Sequence, residues 1–186
     1  MATKEDILKT ALKLFANRGY ENTSLEEVAN KIGITKPAIY YYFKNKKALY
    51  NEIFIEKFSK LEFELKDSLE ENLKEYIYKL GDFFIKNPCI AKLFSKEITS
   101  EAMHLEVDTL KVISKTLKHL TKILEKTNLN PFFIQTMVVS TFTTYANTLK
   151  VRERITGILK DDKLTKDFDI TKEIYQTILH YIKAHK

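Results

Sequence analysis

Four glycines and three prolines in 186 residues leave little room for anything but helices. Sandwiches and barrels need turn residues at short, regular intervals, and this chain lacks them. The few breakers also sit where helices start or stop. Asn87-Pro88 and Asn130-Pro131 read as a cap followed by the first helical position, where proline's missing N–H costs nothing. Pro37 stands two residues after Thr35, again in a first turn, while Gly19 and Gly33 fall where helices end. Gly81 lies inside a helical pattern and Gly157 in a polar stretch.

Apolar periodicity fills the intervals. A first helix runs from about Lys4 to Arg18, capped by Thr3 with Asp6 and carrying Ile7, Leu8, Ala11, Leu12, Leu14 and Phe15. Ser24-Leu25-Glu26-Glu27 is a second capping box, opening a short helix with Leu25, Val28, Ala29 and Ile32 inward. A third starts at Thr35 and reaches Phe43. Asn45 caps a fourth, long one striped by Leu49, Ile53, Phe54, Phe58, Leu61 and Leu65. Further helices are expected over 69–86, 88–99, 102–126, 131–154 and 170–184, with a polar loop over 157–169. The fold class is therefore all-α: an N-terminal three-helix helix-turn-helix unit, 1–47, and a larger helical bundle, 48–186.

With 44% hydrophobic and 12% aromatic residues the chain is not a disordered one. It is long enough for one ordinary domain or one plus a small second unit. Net charge is +6, and residues 1–50 carry nine Lys/Arg against five acids, so the positive excess gathers at the N-terminal end. Cys89 is the sole cysteine, which fits a reducing, cytoplasmic setting, and the charged N-terminus is not a signal peptide. No charge occurs from Thr127 to Leu149, but Gln135, Asn147 and the run Thr136, Thr141, Thr143, Thr144 and Thr148 make that stretch too polar for a spanning helix; a buried helix at an interface or pocket fits better, and no membrane partner is expected. No phosphate loop, dinucleotide fingerprint, HExxH or CxxC appears, so neither an enzyme nor a cofactor is expected. His104 and His119 lack metal-ligand spacing, and no metal is expected.

Residues 24–43 have the arithmetic of a helix-turn-helix, whose second helix enters the major groove of DNA. In Lys36-Pro-Ala-Ile-Tyr-Tyr-Tyr-Phe43, Ile39 and Phe43 share the inner face. Tyr41 and Pro37 then point outward, with Tyr40 and Tyr42 on the flanks and Lys36 at the tip. Phenols can donate to phosphate and lysine can bond guanine. Lys44, Lys46 and Lys47 follow, Lys46 at the start of the next helix, a favourable place for phosphate. A tyrosine triplet by itself also suits a protein-interaction module using the Tyr40–Tyr42 face without DNA readout; the co-occurrence of capping box, glycine turn, outward aromatics and trailing lysines favours DNA.

The stretch Thr23-Ser-Leu-Glu-Glu-Val-Ala-Asn-Lys-Ile-Gly-Ile-Thr-Lys-Pro-Ala-Ile-Tyr-Tyr-Tyr-Phe-Lys-Asn-Lys-Lys-Ala-Leu49, with Leu14-Phe15-Ala-Asn-Arg-Gly-Tyr20 before it, resembles the N-terminal domain of the TetR family of bacterial transcriptional regulators. The resemblance covers about residues 4–53; the rest agrees in length and helicity. It implies that Thr23 and Ser24 touch phosphate, that Thr35, Lys36 and Pro37 lie at the groove, that Tyr40, Tyr42 and Lys46 hold the backbone, and that Tyr41 is a readout position. Tyr42 replaces the family's usual histidine and keeps a donor. Pro37 replaces a glycine or small residue and has no N–H to offer.

The resemblance further implies a repressor's architecture: a homodimer on palindromic operator DNA, joined through helices near 131–150 and 170–184, and released by a small hydrophobic or amphipathic ligand. Large apolar residues that can line such a pocket are Phe58, Phe83, Phe94, Met103, Phe133, Met137, Phe142 and Tyr145, with Phe84 beside them. Each is equally at home in an ordinary core.

Overall fold

The computed structural model describes residues 2–166 and 168–185. Among them are α1 (Lys4–Arg18), α2 (Leu25–Ile32), α3 (Lys36–Tyr42), α4 (Lys46–Phe58), α5 (Leu69–Lys86), α6 (Pro88–Thr99), α7 (Val107–Ile123), α8 (Pro131–Asn147), α9 (Leu149–Leu159), α10 (Asp162–Thr165) and α11 (Ile170–Ala184), and no strand. They pack as two compact units, one of residues 1–60 with 89–114, the other of 61–88 with 115–186. The functional seam expected near residue 48 falls inside the first unit.

In the first unit local caps set the helices. Thr3 and Asp6 close a reciprocal capping box on α1, Ser24 and Glu27 another on α2, and Asn45 accepts the Ala48 N–H to start α4. Gly33 ends α2 in the left-handed conformation, φ 71°, which only glycine adopts without penalty. α1 packs on α2 and α4, and α2 on α3. Ile7, Ala11, Phe15, Val28, Ile39, Leu49 and Phe54 form a core with no measurable exposure. α6 and the front of α7 also belong to this unit, and a side chain of α4 ties down the turn between them. Buried Asn51 donates to the His104 carbonyl at 3.0 Å and accepts from the Glu106 N–H at 2.8 Å and the Thr109 hydroxyl at 2.6 Å. It caps α7 from a distance.

The second unit is organised by α5, which packs on α8 and α11. Gly81 permits the approach: a Cβ there would meet Thr171 Oγ1 at 2.7 Å and Phe142 Cζ at 3.1 Å. Tyr76, Ile77, Leu80, Ile134, Val138, Phe142, Ile178 and Ile182 fill the core. Among the described residues no helix is long and apolar enough to cross a membrane.

Five expectations are corrected. The fourth helix stops at Phe58, so Leu61 and Leu65 leave its stripe and Leu65 is exposed. The chain instead turns around Asn72, whose side chain bonds the N–H and carbonyl of Lys66 at 2.7 and 2.8 Å, and a new cap at Ser68 starts α5. The helix expected from 102 begins at Val107, because Glu101 and Ala102 take φ of 56° and 57° and Asn51 supplies the cap further on. The helix expected over 131–154 breaks at Thr148. The hydroxyls of Thr141, Thr143 and Thr148 bond carbonyls four residues back, which bends helices, and Arg152 takes over the Tyr145 carbonyl at 2.7 Å. The loop expected over 157–169 is helical at both ends of its first half: α9 continues to Leu159, and Asp161 caps the one-turn α10. Asp167, inside that loop, lies outside the described residues. Pro88 does begin α6, but Asn87 turns back to donate to the Phe83 carbonyl at 2.8 Å and closes α5.

Candidate nucleic-acid interface

α3 is short and its orientation follows from two side chains. Ile39 and Phe43 are buried at 0% and 4% exposure. Helical geometry then forces the residues between them outward. Tyr41 is 83% exposed, Tyr40 49% and Tyr42 41%, with Thr35, Lys36 and Pro37 exposed at the leading end. The Tyr41 and Tyr42 rings meet edge-to-face, centroids 4.9 Å apart, so the two phenols steady each other. Thr35 precedes the helix without using its hydroxyl as a cap, and Pro37 occupies the first turn. Lys44 and Lys47 are exposed just beyond.

Two expected backbone contacts have other work in the structure. Thr23 is 1% exposed and its hydroxyl donates to the Gly19 carbonyl at 2.9 Å, so it supports the turn from inside. Exposed Ser24, beside it, presents the hydroxyl on that edge while accepting the Glu27 N–H. Lys46 is half-buried. Its ammonium donates to the Tyr20 carbonyl at 2.9 Å and sits 4.2 Å from the Tyr20 ring centroid. That clamp fixes one end of the amine near the edge of α3's neighbour helix and leaves it further donors.

Behind Tyr20 lies a network that sequence reading missed. The Glu97 carboxylate, 2% exposed, accepts from the Tyr50 hydroxyl at 2.6 Å and stands 2.9 Å from His104 Nδ1. The His104 ring lies 4.2 Å from the Tyr20 ring, and its other nitrogen is 3.3 Å from Glu21. Burial, with the Glu97 hydrogen bond second, pushes the Tyr50 phenol far above its ordinary range. Burial likewise raises Tyr20. These partners are 47 and 7 positions apart, and only the Leu14–Tyr20 ending of α1 hinted that an aromatic was needed there. His119 is half-buried in the second unit, stacked on Phe63 at 5.0 Å, and burial lowers its pKa. Among the described residues no group of three His, Cys, Asp or Glu can hold a metal.

The eight pocket candidates fall in both units. In the first unit Phe58 and Phe94 meet, ring centroids 5.4 Å apart, while Met103 is 73% exposed on the turn that leads toward α7. In the second, Phe142 is fully buried against Gly81, Phe83 and Met137 are half-buried, and exposed Phe133 lies 5.6 Å from Tyr181. Tyr145 lines an open cleft of about 420 Å³ with Ser140, Thr141, Thr144, Thr148 and Arg152, whose guanidinium lies 3.9 Å from the Tyr145 ring centroid.

Known proteins point the same way. Residues 7–53 match the family described as bacterial regulatory proteins, tetR family. The chain is 46% identical over 52 residues to the HTH-type transcriptional regulator AcrR of Shigella flexneri, covering 28% of this chain and 24% of AcrR. It is 29% identical over 94 residues to IcaR of Staphylococcus aureus, the HTH-type negative transcriptional regulator of the biofilm operon icaADBC, covering 45% of this chain and 50% of IcaR. The matches thus span a quarter to a half of those relatives. Two solved structures match nearly end to end. One is a mutant of HlyIIR, with 25% identity, a TM-score of 0.66 and coverage of 92% and 94%. The other, at 18% identity and a TM-score of 0.61, shares the fold over 94% of this chain and 96% of its own: FadR of Bacillus subtilis, in complex with stearoyl-CoA.

Proposed function

We propose, from the match of residues 7–53 to the tetR family of bacterial regulatory proteins, that the chain is a transcriptional repressor that binds palindromic operator DNA as a homodimer and is released by a small hydrophobic or amphipathic ligand. It is not an enzyme; the proteins it resembles are regulators. The observation that carries the reading is the free face of α3, with Tyr41 83% exposed and Lys36, Pro37 and Tyr40 beside it. In this reading Ser24, Tyr40, Tyr42 and Lys46 hold the DNA backbone, Thr35, Lys36, Pro37 and Tyr41 lie at the groove, and Thr23 positions the turn. Residues 1–47 do the reading; residues 48–186 pair the subunits and take the ligand.

Pairing has support in the second unit. α8 leaves Phe132 and Phe133 exposed, and α9 buries no residue at all while exposing Leu149, Val151, Ile155, Ile158 and Leu159. So much apolar surface on adjoining helices suits an interface. α8 and α11 are the proposed pairing helices, and two copies are needed to read half-sites one helical turn apart. The ligand acts by preferring one of two arrangements of the paired chains, with α4 carrying the change to α3. FadR of Bacillus subtilis, which shares the fold, was solved with stearoyl-CoA, an amphipathic molecule with a long acyl chain.

The test is binding of the full-length chain to duplexes selected from random sequence, followed over salt concentration, with light scattering for oligomeric state. The expected result is a preferred two-fold duplex, affinity falling steeply with salt, a dimer at micromolar protein, and release by an acyl or aromatic compound. Absence of duplex binding at low salt would refute the regulator and leave the tyrosine face as a protein-binding surface. A monomer that binds duplex would refute the pairing alone.

A further inference from the structure

We infer that α3 discriminates sequence chiefly through the C5-methyl groups of thymine, packed by the Pro37 and Tyr41 rings, with Lys36 adding one guanine contact beside them; this rests on the DNA-binding reading above. The inference comes from what the outward face offers and what it lacks. Ile39 and Phe43 are turned inward, so at about 100° per residue the face opposite them belongs to Pro37 and Tyr41, one turn apart. Tyr40 and Tyr42 flank them, less exposed, and Tyr42 braces the Tyr41 ring edge-to-face at 4.9 Å.

From Lys36 to Tyr42 there is no Arg, Asn, Gln, Asp or Glu. In the major groove those are the side chains that read guanine or adenine through paired hydrogen bonds, or accept from the cytosine amine. Adenine and cytosine therefore have no matched side-chain partner on this helix. Pro37 also removes a backbone donor at the groove-facing turn. What the centre of the face presents is carbon: a pyrrolidine ring and the faces of a phenol. Only one group on the base edges of the major groove is apolar, the methyl of thymine. Lys36, exposed at the leading end, is the one cationic side chain of this helix and can bond guanine O6 or N7. The Tyr41 hydroxyl can reach a phosphate, but that contact carries no sequence information. The operator half-site expected from this face is A·T-rich around a guanine.

The experiment uses the full-length chain and the duplex selected above. Each thymine of one half-site is replaced in turn by deoxyuridine, which removes the methyl and leaves base pairing intact. At one or more positions the expected loss is about fourfold in affinity per methyl. The loss should persist in Tyr41→Phe, which keeps the ring, and disappear in Tyr41→Ala or in Pro37→Gly, according to which ring covers that methyl. Tyr41 is so exposed that its variants fold, and circular dichroism checks this for Pro37→Gly. A flat deoxyuridine scan on a duplex still preferred over random DNA would overturn the methyl readout while leaving the regulator intact. A uridine penalty that survives both Tyr41→Ala and Pro37→Gly would overturn it equally. Selection that enriches no duplex would sink the regulator reading, and this inference with it.

Discussion

Replacing Asn51 by alanine should remove the cap that starts α7 and cost the first unit a large part of its stability. Asn51 is 3% exposed and both ends of its amide are used. Its oxygen accepts from the Glu106 N–H at 2.8 Å and the Thr109 hydroxyl at 2.6 Å, and its NH2 reaches the carbonyls of Lys47 at 2.9 Å and His104 at 3.0 Å. Alanine leaves the Glu106 N–H, the Thr109 hydroxyl and the His104 carbonyl without that partner. A buried polar group so orphaned costs about 1–3 kcal/mol. Water entering the vacated space recovers part of this, so the expected loss is about 3–5 kcal/mol. Domains of this kind hold on the order of 5–15 kcal/mol in all. Thr109→Val is the companion variant. It removes the hydroxyl together with its bond while Asn51 keeps its other partners, and should cost only about 0.5–1.5 kcal/mol. Urea unfolding followed by circular dichroism measures both, with the slope of free energy on urea as a check that the transition is unchanged in kind. A loss under about 1 kcal/mol for Asn51→Ala, at unchanged slope, would refute the claim that this side chain holds the α6–α7 turn to α4.

Three further outcomes follow from particular contacts. Lys46→Ala should weaken binding to every duplex and lower the salt slope by about one, whereas Lys36→Ala should also flatten preference between selected and random DNA; fluorescence anisotropy over salt concentration reads both, and equal losses on the two DNAs for Lys36→Ala would remove Lys36 from base reading. Gly81→Ala should destabilise the second unit by about 1–3 kcal/mol through overpacking, despite alanine's better helix propensity; because the obstructing atoms are mainly Thr171 Oγ1 at 2.7 Å and Cγ2 at 3.1 Å, Thr171→Ala in the same chain should restore most of the melting temperature. The Lys79 ammonium at 2.6 Å, then that of Lys66 at 3.2 Å, hold the Glu75 carboxyl at about 2, well below its ordinary 4.5. A depressed carboxylate stabilises above its unfolded pKa, and that contribution is lost as pH falls from 4.5 through 2; the stability gap between the native chain and Glu75→Gln should close across that window in acid titrations, and a gap independent of pH would count against the pairing.

What could be read from the sequence and what could not divides along the reach of each interaction. The starts of α1, α2, α4 and α8 were legible because cap and helix are neighbours in the chain: Thr3 with Asp6, Ser24 with Glu27, Asn45 with Ala48, Asn130 with Phe132. The exposed face of α3 was legible for the same reason. In a helix of seven residues two inward side chains determine the direction of all the others, and no distant partner is needed. The misplaced boundaries have the opposite cause. α7 starts where Asn51, 55 positions before Glu106, supplies a cap, and no local signal at 102–106 announces it. The end of α4 is hidden because apolar spacing continues through Leu61 and Leu65, while what bends the chain is Asn72 gripping the backbone of Lys66. At Thr148 the bend comes from hydroxyls that individually fit a helix, together with Arg152 capturing the Tyr145 carbonyl. The ligand candidates are chosen from sequence by residue type alone, and they fall in both units, from fully buried Phe142 to largely exposed Met103. A DNA-reading face can therefore be inferred from twenty contiguous residues, whereas a pocket is a property of helices brought together. It follows that changes to the exposed side chains Lys36 and Tyr41 of α3 should alter which duplex is chosen without altering stability, and that changes at Asn51 or Gly81 should do the reverse.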